Sequence, residues 1–163
     1  MKLEFERIQS HNKSKIKEIS NIINSCGIDM YERHGLNHWS KEYTINMIEK
    51  EFDSREVFLA RDLCSNKYIH TFQLEHFIEN NMKGVVLHKF ATSPLYSGLG
   101  IGDSSLKYIE EYCEIKNIKI LKLEVYEKSI NAIKFYEKRG FKQISTRNTT
   151  NFSVIIMQKL LFN

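Results

Sequence analysis

Thr92-Ser93-Pro94-Leu95-Tyr96-Ser97-Gly98-Leu99-Gly100-Ile101-Gly102-Asp103-Ser104-Ser105 holds the only proline of the chain and three of its seven glycines. Glycine at alternate positions removes every second side chain, so the backbone can curl and aim successive N–H groups at one anion. Before it, Val85 to Thr92 reads as a strand; after it, Ile101, Leu106, Ile109 and Cys113 mark a helix. The helix start adds N–H groups without intrahelical partners and the positive end of the dipole. Together these form a phosphate cradle. Several N–H bonds to a charged group, at about 1.5–3 kcal/mol each, outweigh an exposed dipole contribution of about 0.3–1 kcal/mol. A glycine turn serving structure alone is the other reading. Two phosphate loops are excluded. A Walker loop needs Lys and Ser/Thr after its last glycine, where Asp103 stands. The dinucleotide pattern begun at Gly98 and Gly100 needs its third glycine at the same position.

Outward from the loop, hydrophobic spacing gives the other elements. Leu3 to Ile8 alternates and predicts a strand. Ile16, Ile19, Ile22, Ile23 and Cys26 predict a helix over Ser14 to Cys26, ended by Gly27. Ser40 is placed to cap a second helix carrying Tyr43, Met47 and Ile48. Between them lies an aromatic, histidine-rich connection, Tyr31 to Trp39. Glu56 to Arg61 and Tyr68 to Glu75 read as strands joined near Ser65-Asn66-Lys67, and Asn80 to Gly84 is the next turn. Leu121, Leu123 and Val125 mark a fifth strand. Ser129 to Arg139 is a helix stopped by Gly140. Phe141 to Ser145 and Phe152 to Lys159 close the chain as a hairpin. The order is β-α-α-β-β-β-α-β-α-β-β. Short turns predict antiparallel pairing in the first half, and the strand–helix–strand unit from Val85 to Tyr126 predicts a parallel crossover. The fold class expected is α/β: a mixed, mostly antiparallel sheet of about seven strands with helices on both faces.

A length of 163 residues favours one domain, taken as 1–163. Such a chain buries about two thirds of its unfolded surface and needs no staple. Hydrophobic and charged fractions of 42% and 27% are ordinary for a globular protein. No apolar run approaches the ~20 residues of a membrane span. Met1 to Arg7 alternates and carries acids, unlike a signal peptide. Cys26, Cys64 and Cys113 are odd in number and far apart, which reads as reduced thiols in a cytoplasmic protein. His34, His38, His70 and His76 lack ligand spacing, so no metal is expected. The net charge of +4 is spread among acids and favours an anionic ligand only mildly. No nucleic-acid-binding signature accompanies it.

Ser97-Gly98-Leu99-Gly100-Ile101-Gly102 resembles the pyrophosphate-binding motif Gln/Arg-x-x-Gly-x-Gly/Ala of the GCN5-related N-acetyltransferase (GNAT) family, with both required glycines at Gly100 and Gly102. Thr92-Ser93-Pro94 is similar to that family's Val-x-Pro strand ending. Ser129-Ile130-Asn131-Ala132-Ile133-Lys134-Phe135-Tyr136-Glu137-Lys138-Arg139-Gly140-Phe141 is similar to its Asn-x-x-Ala…Leu/Phe-Tyr-x-x-x-Gly-Phe. The two signatures flank one strand, and the element order fits the family over nearly the whole chain. Three positions depart. Ser97 replaces Gln or Arg, Asp103 brings a carboxylate to the phosphate site, and Ser129 stands where Asn is usual. Side-chain contacts to the ligand are thereby weakened, while backbone N–H groups are untouched.

The resemblance implies an acyltransferase that uses acetyl-CoA, bound where the fourth and fifth strands splay apart. Its pantetheine arm would pair with the backbone of Phe90 and Thr92. Its pyrophosphate would lie over Ser97, Gly98, Leu99, Gly100, Ile101, Gly102 and Asp103. Ser129 or Asn131 would reach the arm, or would cap the helix instead. The implied acceptor is a primary amine of a small molecule or peptide. Neutralising a lysine-like amine at pH 7 costs about 4–5 kcal/mol, so a base must take its proton and a donor must protonate the departing thiolate. Tyr136 occupies the family's general-acid position; a core aromatic is its other reading. His88 is the candidate base, since strand alternation puts Val86, His88, Phe90 and Thr92 on one face. A histidine satisfied by a neighbour is the alternative, with Glu75 and Glu124 in reserve. Acceptor contacts are assigned to the connection from Tyr31 to Trp39, Trp39 above all, to the third strand around His70 and Glu75, and to the turn from Ser145 to Asn151. The rival reading is a module that binds acyl-CoA without turning it over. A homodimer could form by adding strands across the terminal hairpin.

Overall fold

The structure, a computed structural model, describes residues 1–162. Seven strands form one sheet: β1 (Leu3–Ile8), β2 (Arg55–Asp62), β3 (Lys67–Glu79), β4 (Met82–Thr92), β5 (Ile120–Tyr126), β6 (Lys142–Asn148) and β7 (Ser153–Leu160). Their spatial order is β1-β2-β3-β4-β5-β7-β6. Among the described residues, only β4 and β5 pair in parallel; every other neighbour is antiparallel. The chain between β4 and β5 passes through a helix, because a tight turn cannot return a strand in the same direction.

Helices α1 (Lys13–His34) and α2 (Ile45–Glu51) cover one face of the sheet, and α3 (Ile101–Ile115) and α4 (Ile130–Glu137) the other. Ile16, Ile19, Ile22 and Ile23 of α1 pack with Ile48 of α2 on Val57, Leu59 and Ala91. On the opposite face Leu106, Ile109 and Cys113 of α3 and Tyr136 of α4 pack on Phe58, Phe72, Leu74, Val85 and Leu87.

Three local expectations are corrected. Gly27 does not end α1, which runs on to His34. A Cβ at Gly27 would lie 2.3 Å from the Trp39 carbonyl oxygen, so this glycine is there for close approach. The stop is Gly35, at φ 65°, whose N–H is bonded back to Tyr31. Tyr31 and His34 are therefore helical. Thr44, not Ser40, caps α2, its hydroxyl accepting from the Met47 N–H at 3.3 Å. Finally, β4 does not alternate regularly. Its register against β3 shifts opposite Phe72, and Lys89 sits at φ 51°. This bulge inverts the faces beyond it. Leu87 and Phe90 both pack toward α3 and α4, while Lys89 and Ala91 face α1 and α2. His88 and Phe90 thus do not share a face.

Candidate active site

Pairing between β4 and β5 runs from Gly84–Ile120 to Leu87–Leu123 and then stops. Beyond it, β4 continues to Thr92 and β5 to Tyr126, each bonded only on its outer side. The strands diverge, leaving the β4 backbone at Phe90 and Thr92 without a strand on its β5 side. A cavity of about 420 Å³ opens in this notch. Leu87, Phe90, Leu123, Ser129, Ala132 and Tyr136 line it on one side; Cys26, Asp29, His38, Trp39 and Lys89 line it on the other. Tyr126, Arg147, Thr149 and Phe152 close its end, and it reaches Pro94 and Ser97 at the mouth of the glycine loop.

In the loop, a 3₁₀ turn over Pro94–Tyr96 uses the Ser97 N–H, which donates to Pro94 at 3.1 Å. Gly98 and Gly100 then take φ of 77° and 76°, a region closed to most side chains. Among the described residues, none of the N–H groups from Gly98 to Asp103 donates to a protein acceptor. Open space surrounds Gly98 and Gly100, while Gly102 lies under Phe135, where a Cβ would sit 2.8 Å from the ring. Ile101 is buried and can offer only its backbone. These unsatisfied donors fit a diphosphate. Asp103 does not oppose it freely. Arg139 Nε donates to its Oδ1 at 2.6 Å, and the guanidinium lies 3.5 Å over the Phe135 ring.

Tyr136 is 9% exposed and borders the cavity, wedged among Phe90, Phe135 and Phe141. Burial pushes its hydroxyl pKa well up, so it holds its proton. His88 also borders the cavity, with Nε2 2.7 Å from Glu75 Oε2. A carboxylate only accepts, so the hydrogen is on Nε2 and Nδ1 is the basic nitrogen. Burial, then the Arg55 charge, hold this imidazole below its ordinary range, against the pull of Glu75.

The other expected residues divide. Trp39 and Ser129 line the cavity, and the buried Ser129 hydroxyl has no partner among the described residues. Asn131 is exposed on α4, outside the cavity lining. Glu75 meets the site through His88. His70 is corrected as an acceptor contact. It is fully buried, its Nδ1 2.9 Å from Thr92 Oγ1 and its ring 4.6 Å from that of Phe90, because its place on β3 turns it into the core. Sequence reading missed Lys89, Tyr126 and Phe152. His38, within the Tyr31–Trp39 connection expected to meet the acceptor, lines the cavity; it packs on Tyr126, and burial pushes its pKa down to about 4. An aromatic in the connection or in the hairpin gave the only available hint.

The sequence profile described as the Acetyltransferase (GNAT) family matches residues 30–141. No curated protein matches the chain. Among solved structures, the ribosomal-protein-S18-alanine N-acetyltransferase of Escherichia coli superposes with a TM-score of 0.73 at 17% identity, over 98% of this chain and 94% of that one. PaiA N-acetyltransferase from Thermoplasma acidophilum, in complex with coenzyme A, gives 0.73 at 18%, over 98% and 99%. A spermidine N-acetyltransferase chimera from Vibrio cholerae SpeG and hSSAT gives 0.73 at 15%, over 98% and 96%. At these identities the structures speak for the fold. The profile covers the splayed strands, the glycine loop and Tyr136 alike, and on that match the chain belongs to the GNAT acetyltransferase family and is an acyltransferase.

Proposed function

We propose that the protein transfers an acetyl group from acetyl-CoA to a primary amine of a small molecule or peptide, by direct attack within a ternary complex. The run of N–H groups from Gly98 to Asp103 without protein acceptors, at the mouth of the interstrand notch, carries this reading. Those groups would hold the diphosphate, and the exposed backbone edge at Phe90 and Thr92 would pair with the pantetheine amides. The Thr92 carbonyl accepts from the Cys26 thiol at 2.8 Å and has a second lone pair for a ligand. Ser129 brings an unpartnered hydroxyl to the arm. Bound acetyl-CoA supplies an activated thioester.

His88 takes the proton of the amine, since its depressed pKa leaves it unprotonated at neutral pH. Tyr136 gives its proton to the departing sulfur. Direct attack is favoured over an acyl-enzyme because Cys26, the thiol in the cavity, is a poor nucleophile. Burial raises its pKa to about 12, and its hydrogen is held by Thr92. The test is thiol release from acetyl-CoA across a panel of amines, beside retention on immobilised coenzyme A. Tyr136→Phe is expected to lower kcat by about 10²-fold or more with the coenzyme A Kd unchanged. Failure of the unmodified protein to bind coenzyme A overturns the reading.

A further inference from the structure

The charges around the cavity are paired, with one exception. Asp29 is bonded to Arg33 at 2.8 Å, and Glu124 to Arg147 at 2.6 Å. Behind the wall, Arg55 lies 3.3 Å from Glu51 and 3.7 Å from Glu75, and Glu75 also accepts from His88. Among the described residues, Lys89 forms no ion pair. Its ammonium lies 4.4 Å from the Tyr43 ring centroid and 5.5 Å from that of Trp39, and its side chain lines the cavity. Regular alternation would have put Lys89 on the same face as Leu87, in the core. The bulge, with φ 51° at Lys89 itself, turns it into the cavity instead. Such a conformation is unfavourable for a residue with a Cβ and persists only where the surroundings impose it.

We propose that Lys89 anchors the acceptor, and that the amine acetylated here also carries an anionic group, a carboxylate or phosphate, which pairs with the Lys89 ammonium. The inference rests on the acetyltransferase reading above and names its substrate class. The anion is assigned to the acceptor on position. Lys89 faces α1 and α2, with Trp39 and Tyr43, whereas Phe90 and Tyr136 line the cavity from the other face, where the donor would lie. The diphosphate has its own donors at Gly98 to Asp103. A polyamine would bring a second ammonium against Lys89, with both lining acids already paired; that repulsion selects against it. Burial holds the Lys89 pKa below its ordinary range, the condition a bound anion would relieve.

The test uses matched amines: the L-amino acids and their amides, O-phosphoethanolamine and ethanolamine, and spermidine. Each is presented with acetyl-CoA and, separately, with succinyl-CoA. Two readouts are taken, thiol release and the fluorescence of Trp39, the single tryptophan of the chain, in the coenzyme A complex. Expected are a best acceptor that bears an anion, a neutral counterpart at least about tenfold poorer in kcat/KM, and a Trp39 response to the anionic member. In Lys89→Met the KM for that acceptor rises roughly ten- to a hundredfold more than for its neutral counterpart, and Lys89→Arg recovers most of the loss. Preference for spermidine, equal use of both members of a pair, no turnover or Trp39 response with any anionic amine, or an unchanged KM in Lys89→Met each overturn the proposal. Preference for succinyl-CoA with neutral amines would assign the anion to the acyl group and overturn it too. Coenzyme A binding is scored separately, so its loss marks failure of the acetyltransferase reading rather than of this one.

Discussion

Asp103 stands in the first turn of α3, where its carboxylate would repel a diphosphate held by the loop. Arg139 takes that charge, with its guanidinium clamped between Asp103, the Phe135 carbonyl and the Phe135 ring. Removing the arginine alone should therefore hurt more than removing both. Arg139→Ala is expected to weaken coenzyme A binding about tenfold, or ~1.4 kcal/mol, and Asp103→Asn in that background to restore most of it, as read by calorimetry. The departure at Asp103 was legible in the sequence; its remedy, 36 residues on, was not, because a charge pair between one helix and the turn after another leaves no periodic trace. Likewise Ser129 and Asn131 stand two apart on the same signature, and only the fold says that Ser129 faces the notch. His88 carries a second expectation. It must be unprotonated to act, so kcat should fall with decreasing pH, with the acid limb below the ordinary imidazole value of 6.5. His88→Gln should abolish that limb while a Tyr136→Phe enzyme keeps it.

At the scale of elements, the strands and helices were legible because each has one buried face, and burial imposes a period. The exceptions are places where a residue serves a neighbouring segment. Gly27 looks like a helix stop, yet lies within α1 because the α1–α2 connection at Trp39 crosses directly over it. Glycine in a helix interior ordinarily gains about 1 kcal/mol on replacement by alanine. Here the added methyl would press on backbone that cannot swing aside, and the overpacking cost of about 1–3 kcal/mol should prevail. Gly27→Ala is expected to lower the midpoint of urea unfolding and, by displacing Trp39, to shift the tryptophan emission of the folded protein. A stabilised Gly27→Ala would show that the connection yields freely. The bulge in β4 was illegible for a related reason. Its cause is the pairing with β3 opposite Phe72, a partner distant in sequence, and nothing in Leu87-His88-Lys89-Phe90 announces the change of face.

For the molecule as a whole, the sheet separates two apolar cores, and His70 lies fully buried on the side shared with Phe72 and Phe90. Its Nε2 has no partner among the described residues, so a second proton there would have nowhere to bond. Burial pushes its pKa down to about 3 from an ordinary 6.5. The sign follows from which state binds the proton. Between these two values the unfolded chain is protonated at His70 and the folded chain is not. Stability is thus at its full value above pH 6.5 and falls as pH decreases toward 3, by up to about 1.4 kcal/mol per unit. His38, with its pKa near 4, adds in the same direction. From pH 7 to pH 5, urea unfolding should lose about 2 kcal/mol to His70. In His70→Phe the loss should shrink by that amount, although the variant starts less stable at pH 7 because Thr92 Oγ1 loses its partner. The same two measurements on His88→Gln serve as the comparison, since His88 is only half-buried and bonded to Glu75. An acid slope that is the same in His70→Phe as in the parent protein would place the acid-sensitive group elsewhere in the fold.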